Sequence, residues 1–187
     1  MRQKNPVTSP DFLLTTDAAR QLYAVAADQP IYDYHCHLPP GEIAANKQWE
    51  NLTEIWLAGD HYKWRALRAA GVPESHITGE ADPYDKFLAY AGAMPQLLRN
   101  PLWHWTHLEL TRAFGIDDVL NESTAASIWR AANARLQEIS AHSLLKQFRV
   151  AVIGTTDDPC DDLAHHQAIA ASDLPTRVYP AFRPDKA

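Results

Sequence analysis

The sequence predicts an α/β fold of about three parallel strands, with an all-helical insertion after the first strand. Three observations predict it. Residues 31–38 alternate in polarity and are rich in tyrosine, as a short strand should be. Residues 41–148 show helical spacing and helix-boundary residues throughout, with no strand pattern. Val150-Ala151-Val152-Ile153 is a continuous β-branched run, followed by a helical stretch and a second short apolar run at residues 176–179. That strand, helix, strand order is the mark of a right-handed parallel unit.

Taken in order, Thr16 is placed to cap a first helix with Ala19, Leu22, Tyr23 and Ala26 on one stripe facing a core. Pro39-Pro40 ends the first strand. In the helical region, Asn51 with Glu54 three residues on forms a capping box, and Gly59 stops that helix. Residues 61–70 end at Gly71, while Asp82-Pro83 and Asn100-Pro101 each pair an N-cap with proline at the first helical position. Residues 125–139 give the longest helix, with Ala125, Ile128, Trp129, Ala132, Leu136 and Ile139 on its apolar side, and Ser140 caps the next. Gly154 closes the second strand, a helix is expected over 161–171, and the third strand should end before Pro180, which a central strand would not accommodate. Three regions follow: residues 1–40, the helical insertion over 41–148, and the second and third strands over 149–187.

Composition limits the function classes. Of the 187 residues, 46% are apolar and 21% charged, enough apolar surface for a packed core. Seventeen Lys and Arg against 23 Asp and Glu give a net charge of −6, the wrong sign for gathering phosphate backbones, so nucleic acid is not expected as a partner. No run reaches the ~18 apolar residues of a membrane span, and residues 1–10 have no signal-peptide core, which points to the cytoplasm. Cys36 and Cys160, far apart in the chain, read as free thiols.

The sharpest candidate chemistry lies in Asp33-Tyr34-His35-Cys36-His37, where alternation places Asp33, His35 and His37 on one side of the strand. Two imidazoles at the C-terminal end of a strand can converge on one divalent ion, although a catalytic metal needs a third ligand and an open position. Ordinary hydrogen-bonded histidines are the competing reading. Gly154-Thr155-Thr156-Asp157-Asp158-Pro159 follows the second strand at the same level, so Thr155 and Asp157 are candidates for binding a polar substrate, or else for capping a helix. Arg183, just past the third strand, can grip a carboxylate in bidentate fashion or lie on the surface. Tyr62, beside cationic neighbours in Asp60-His61-Tyr62-Lys63-Trp64-Arg65, is a candidate proton donor. Trp103 and Trp105 cannot share a helix face, and core packing is the expected role of the tryptophans.

Asp33-Tyr34-His35-Cys36-His37-Leu38-Pro39-Pro40 resembles the start of the uronate (glucuronate) isomerase family. The segments 60–65, 100–110, 154–159 and Arg183-Pro184-Asp185-Lys186 resemble further blocks of that family in the same order, so the likeness covers nearly the whole chain. It implies an amidohydrolase-superfamily (β/α)8 TIM barrel and interconversion of D-glucuronate with D-fructuronate, and of D-galacturonate with D-tagaturonate. It further implies His35 and His37 as metal ligands, Tyr62 and Arg183 as substrate contacts with catalytic roles, and a divalent metal such as Zn on which the family depends less strictly than its superfamily.

A barrel takes at least about 200 residues, so the 187 present imply the N-terminal portion of a longer protein, inactive alone. Its partners would be a sugar acid and the rest of the barrel. Unpaired strand edges also favour self-association into a homo-oligomer. The alternatives are a metal-dependent hydrolase of the same superfamily and a non-catalytic sugar-binding remnant.

Overall fold

The computed structural model describes residue 9 and residues 11–184. In chain order the elements are α1 (Asp17–Ala26), β1 (Ile31–Cys36), α2 (Pro40–Ala44), α3 (Leu52–Leu57), α4 (His61–Ala69), α5 (Pro83–Ala93), α6 (Pro101–Phe114), α7 (Glu122–Leu136), α8 (Ala141–Gln147), β2 (Val150–Asp157), α9 (Ala164–Ala170) and β3 (Arg177–Phe182). They form two compact units. One combines Trp49–Glu138 with the residues up to Arg20, the other Gln21–Gln48 with the residues from Ile139 on.

The helices of the first unit begin where short polar side chains can take up free backbone N–H groups. Asn51 accepts from Glu54, Asp60 from Tyr62 and Lys63, Asp82 from Tyr84, and Asn100 from Leu102. Asn121 makes a full capping box with Thr124, which starts α7 three residues earlier than its apolar pattern alone suggests. At α3 the Glu54 carboxylate accepts from the Glu50 N–H instead of from Asn51, so that box is half formed. Gly71 takes the left-handed conformation just past α4, as expected of a helix-ending glycine. Trp56 sits at the centre of this unit's core, its ring 6.2–6.3 Å from those of Phe87, Tyr90 and Phe114. Trp103 is buried and Trp105 is exposed, as their spacing on one helix requires.

His107 is fully buried in the same unit. Its Nδ1 lies 2.6 Å from the Trp103 carbonyl, and its Nε2 accepts from the Leu120 N–H at 2.9 Å. One nitrogen must donate and the other accept, so the ring is held neutral. Burial accordingly pushes its pKa down, with the Trp103 carbonyl opposing and His104 reinforcing the shift. In the unfolded chain the ring binds a proton below about pH 6.5, while the folded chain resists doing so. Stability is therefore expected to fall as pH drops below that value. Urea midpoints measured from pH 7.5 to 5 check this, and His107→Gln should flatten that part of the profile. An equal slope in both proteins would reject the assignment.

The second unit is built on a parallel three-stranded sheet in the order β1-β2-β3. Ile153 of β2 meets Ile43, Leu145 and Ile169 from α2, α8 and α9, and Cys36, Leu38 and Val178 pack against this cluster. This is why α2 and α8 belong with the strands and the helical unit is narrower than residues 41–148. With three parallel strands and many helices, the chain has the expected α/β architecture.

Three expectations fail for reasons of environment. Gly154 does not close β2, which runs on to Asp157 because Thr155, Thr156 and Asp157 keep pairing with Pro180, Ala181 and Phe182 of β3. No residue of α1 is buried, and Leu22 is 74% exposed, so its stripe faces no core among the described residues. Pro180 lies inside β3, opposite Thr155, because β3 is an edge strand among the described residues and the missing N–H can face away from the ladder.

Candidate functional site: a histidine pair at the end of the first strand

The ladder between β1 and β2 runs Asp33↔Ile153 and then Cys36↔Thr155, so three steps on β1 match two on β2. This is a bulge. It turns Asp33 to the side of Cys36, where the two side chains interact, and the Asp33 carboxylate also accepts from the His35 N–H at 3.3 Å. Asp33 is thus not on the face of the histidines, contrary to simple alternation. Burial pushes the Cys36 thiol up, which suits a packing residue better than a nucleophile.

His35, within the bulge, and His37, just past it, are exposed and their Nε2 atoms lie 3.1 Å apart, with the rings at 81°. Two bare imidazole nitrogens at this distance would point lone pairs at each other, so a proton or a cation belongs between them. Nitrogens each about 2.0–2.1 Å from one ion stand roughly 3 Å apart. The pair therefore fits two ligands of a divalent ion. Among the described residues no group of three or more His, Cys, Asp or Glu side chains is arranged to hold one.

Arg183 stands one residue past β3, exposed, on the same C-terminal edge of the sheet. Asp185 and Lys186, which complete its motif, lie outside the described residues. Thr155 and Asp157 are buried on the face that meets the helices, because they continue the Ile153 side of β2. The Thr155 hydroxyl donates to Asp157 at 2.7 Å and lies 2.8 Å from His166 Nε2, so neither side chain is offered directly to a substrate. This corrects their expected role as direct contacts. His166 was not legible as part of the site, although it sits three residues before Ile169 on the sheet-facing side of α9.

Tyr62 belongs to the helical unit. It is 58% exposed on the first turn of α4, stacked on His61 at 4.4 Å and beneath the Arg65 guanidinium at 5.6 Å. The turn is anchored through Asp60, whose second oxygen lies 3.1 Å from the buried Lys63 Nζ. Tyr62 also lines a groove of about 380 Å³ with Arg65, Asn100 and Trp105.

The glucuronate isomerase family model matches residues 5–187. The chain belongs to this family. It is 63% identical over 180 residues to a uronate isomerase of Solibacter usitatus, covering 95% of this chain and 38% of that protein. It is 56% identical over 183 residues to one of Opitutus terrae, covering 97% and 39%. Among solved structures, the uronate isomerase of Thermotoga maritima superposes with a TM-score of 0.93 at 38% identity, over 95% of this chain and 40% of that one. The glucuronate isomerase of Caulobacter crescentus gives 0.86 at 28% identity, over 99% and 40%. The chain thus spans about two fifths of the length of these glucuronate isomerase relatives.

Proposed function

We propose that this chain is the N-terminal part of a uronate isomerase that interconverts D-glucuronate and D-fructuronate, and D-galacturonate and D-tagaturonate, in sugar-acid catabolism. The observation that carries the reading is the convergent His35–His37 pair at the end of the first strand of a family member. The reaction moves hydrogen between neighbouring carbons through an enediol-type intermediate. A proton leaves C2 and one is delivered to C1, while the hydroxyl proton passes from O2 to O1, so C1 is reduced and C2 oxidised with no outside electron carrier. Such a step needs a base, an acid and stabilisation of oxyanion charge.

In this reading His35 and His37 hold a divalent ion such as Zn. When bound, the ion supplies Lewis-acid polarisation of a substrate oxygen. Arg183 anchors the uronate carboxylate with its planar donor pair, and Tyr62 donates a hydrogen bond to a sugar oxygen. Thr155 and Asp157 support the edge of the sheet from behind. The third ligand and the remaining proton-transfer groups belong to the rest of the barrel, which is the chain's first partner. No helix among the described residues is long and apolar enough to cross a membrane, and Cys36 and Cys160 are free thiols. We place the enzyme in the cytoplasm.

The full-length polypeptide carrying this chain is expected to convert D-glucuronate to the ketose, followed by loss of the aldehyde, while residues 1–187 alone give no sustained turnover. Hydrolysis of amides, lactones or phosphate esters without uronate isomerisation would replace the reading with a hydrolase. Sustained turnover by the 187-residue chain would show that it needs no further barrel strands.

A further inference from the structure

We propose that Thr155, Asp157 and His166 form a buried positioning cluster that sets the height and orientation of the His35–His37 pair from the opposite face of the sheet. The proposal rests on the reading of that pair as the functional centre. Among the described residues, β1 pairs with no strand but β2, and their ladder is irregular twice, the second time immediately before Cys36. A uniform ladder therefore does not dictate where His35 and His37 stand. What dictates it is the point at which pairing resumes, Cys36↔Thr155, with one histidine on each side of Cys36.

Thr155 is 0% exposed, and its hydroxyl is surrounded by three polar groups. It has one proton, with Asp157 Oδ2 at 2.7 Å and the Tyr179 carbonyl at 3.2 Å as acceptors. The shorter, charge-assisted bond to Asp157 takes it. The oxygen's lone pairs are then left for His166, whose Nε2 at 2.8 Å must carry a proton and donate. That proton also faces Asp157 Oδ1 at 3.7 Å. One buried hydroxyl thus ties α9 to β2 at the rung where β1 rejoins the sheet, with the Tyr179 carbonyl of β3 3.2 Å away.

Valine would fill the same space with no preferred direction. A satisfied polar network fixes direction, and removing one member disturbs the others. The groups lie on the helix-facing side, so none touches a ligand of the histidine pair; they act through the backbone of β2 and Cys36.

The test is made on the full-length polypeptide carrying this chain, with labelled histidines. Wild type should show a nuclear Overhauser effect between the rings of His35 and His37. Thr155→Val and His166→Leu should weaken it at least about fivefold, whereas Thr155→Ser and His166→Gln, which restore hydroxyl and donor, should keep it. Zn²⁺ affinity, read by calorimetry well below the unfolding temperature, should fall about tenfold in the first two variants and stay within about twofold in the second two, the scale seen for outer-shell partners. Asp157→Asn replaces any variant that fails to fold and should weaken both readouts. A merely structural cluster would lower the melting temperature yet leave the ring contact and Zn²⁺ affinity of the folded chain unchanged, and that result overturns the proposal, as does absence of the ring contact in wild type. If wild type binds Zn²⁺ no better than His35→Ala/His37→Ala while the ring contact still responds to the variants, the ion reading fails and the positioning role stands.

Discussion

Replacing His35 or His37 with alanine is expected to lower the isomerase activity of the full-length protein by at least about a hundredfold, the scale on which a single preorganised electrostatic group acts. The reason lies in the 3.1 Å approach of the two Nε2 atoms, which makes the pair one device. Neither ring alone can cradle an ion or a shared proton, so the two single variants should resemble each other and the double variant should add little. Zn²⁺ affinity should drop by at least a factor of about 10 to 100, because even loss of an outer-shell partner costs that much. Steady-state kinetics on uronate and calorimetry with Zn²⁺ check the two halves separately. Near wild-type turnover in both single variants would remove the pair from the mechanism. Loss of Zn²⁺ binding with activity retained would confine the pair to ion binding that the reaction does not require.

Gly154→Val is expected to produce the largest loss of stability in the strand unit, about 2–3 kcal/mol, at the upper end of what overpacking costs. Gly154 stands in β2 between Ile153 and Thr155, directly against the bulge of β1. A Cβ placed there would lie 2.7 Å from the Tyr34 carbonyl oxygen, a backbone atom that no rotamer change can withdraw. The two strands would have to separate at the level of the histidines. Amide hydrogen exchange reads the effect locally: protection at Ile153 and Cys36 should fall by roughly 30- to 150-fold. All six tryptophans lie in the helical unit, at positions 49, 56, 64, 103, 105 and 129, so their fluorescence supplies a separate readout of that unit. Gly154→Ala should act in the same direction with a smaller effect. Unchanged protection in Gly154→Val would mean that the close approach of β1 and β2 is not needed.

Helix starts and strand identities were determined by the sequence itself. Asn51, Asp60, Asp82, Asn100, Asn121 and Ser140 each satisfy a backbone N–H within three residues of themselves, so the interaction that starts the helix is written locally. The buried stripe Ala125, Ile128, Ala132 and Leu136, and the β-branched run that opens β2, are equally local patterns. The histidine pair was legible for the same reason, since two positions of one strand suffice to name it. Only the tertiary structure decided that Asp33 turns away from that pair, that Thr155 and Asp157 face α9 rather than a substrate, and that Pro180 lies inside β3. Each of these depends on a partner distant in sequence: the rung on β2 that each residue of β1 meets, the helix that packs behind the sheet, or the absence of a further described strand beside β3. Periodicity assigns a residue to a face only while the ladder is regular, and the bulge before Cys36 breaks that count at the residues that carry the chemistry.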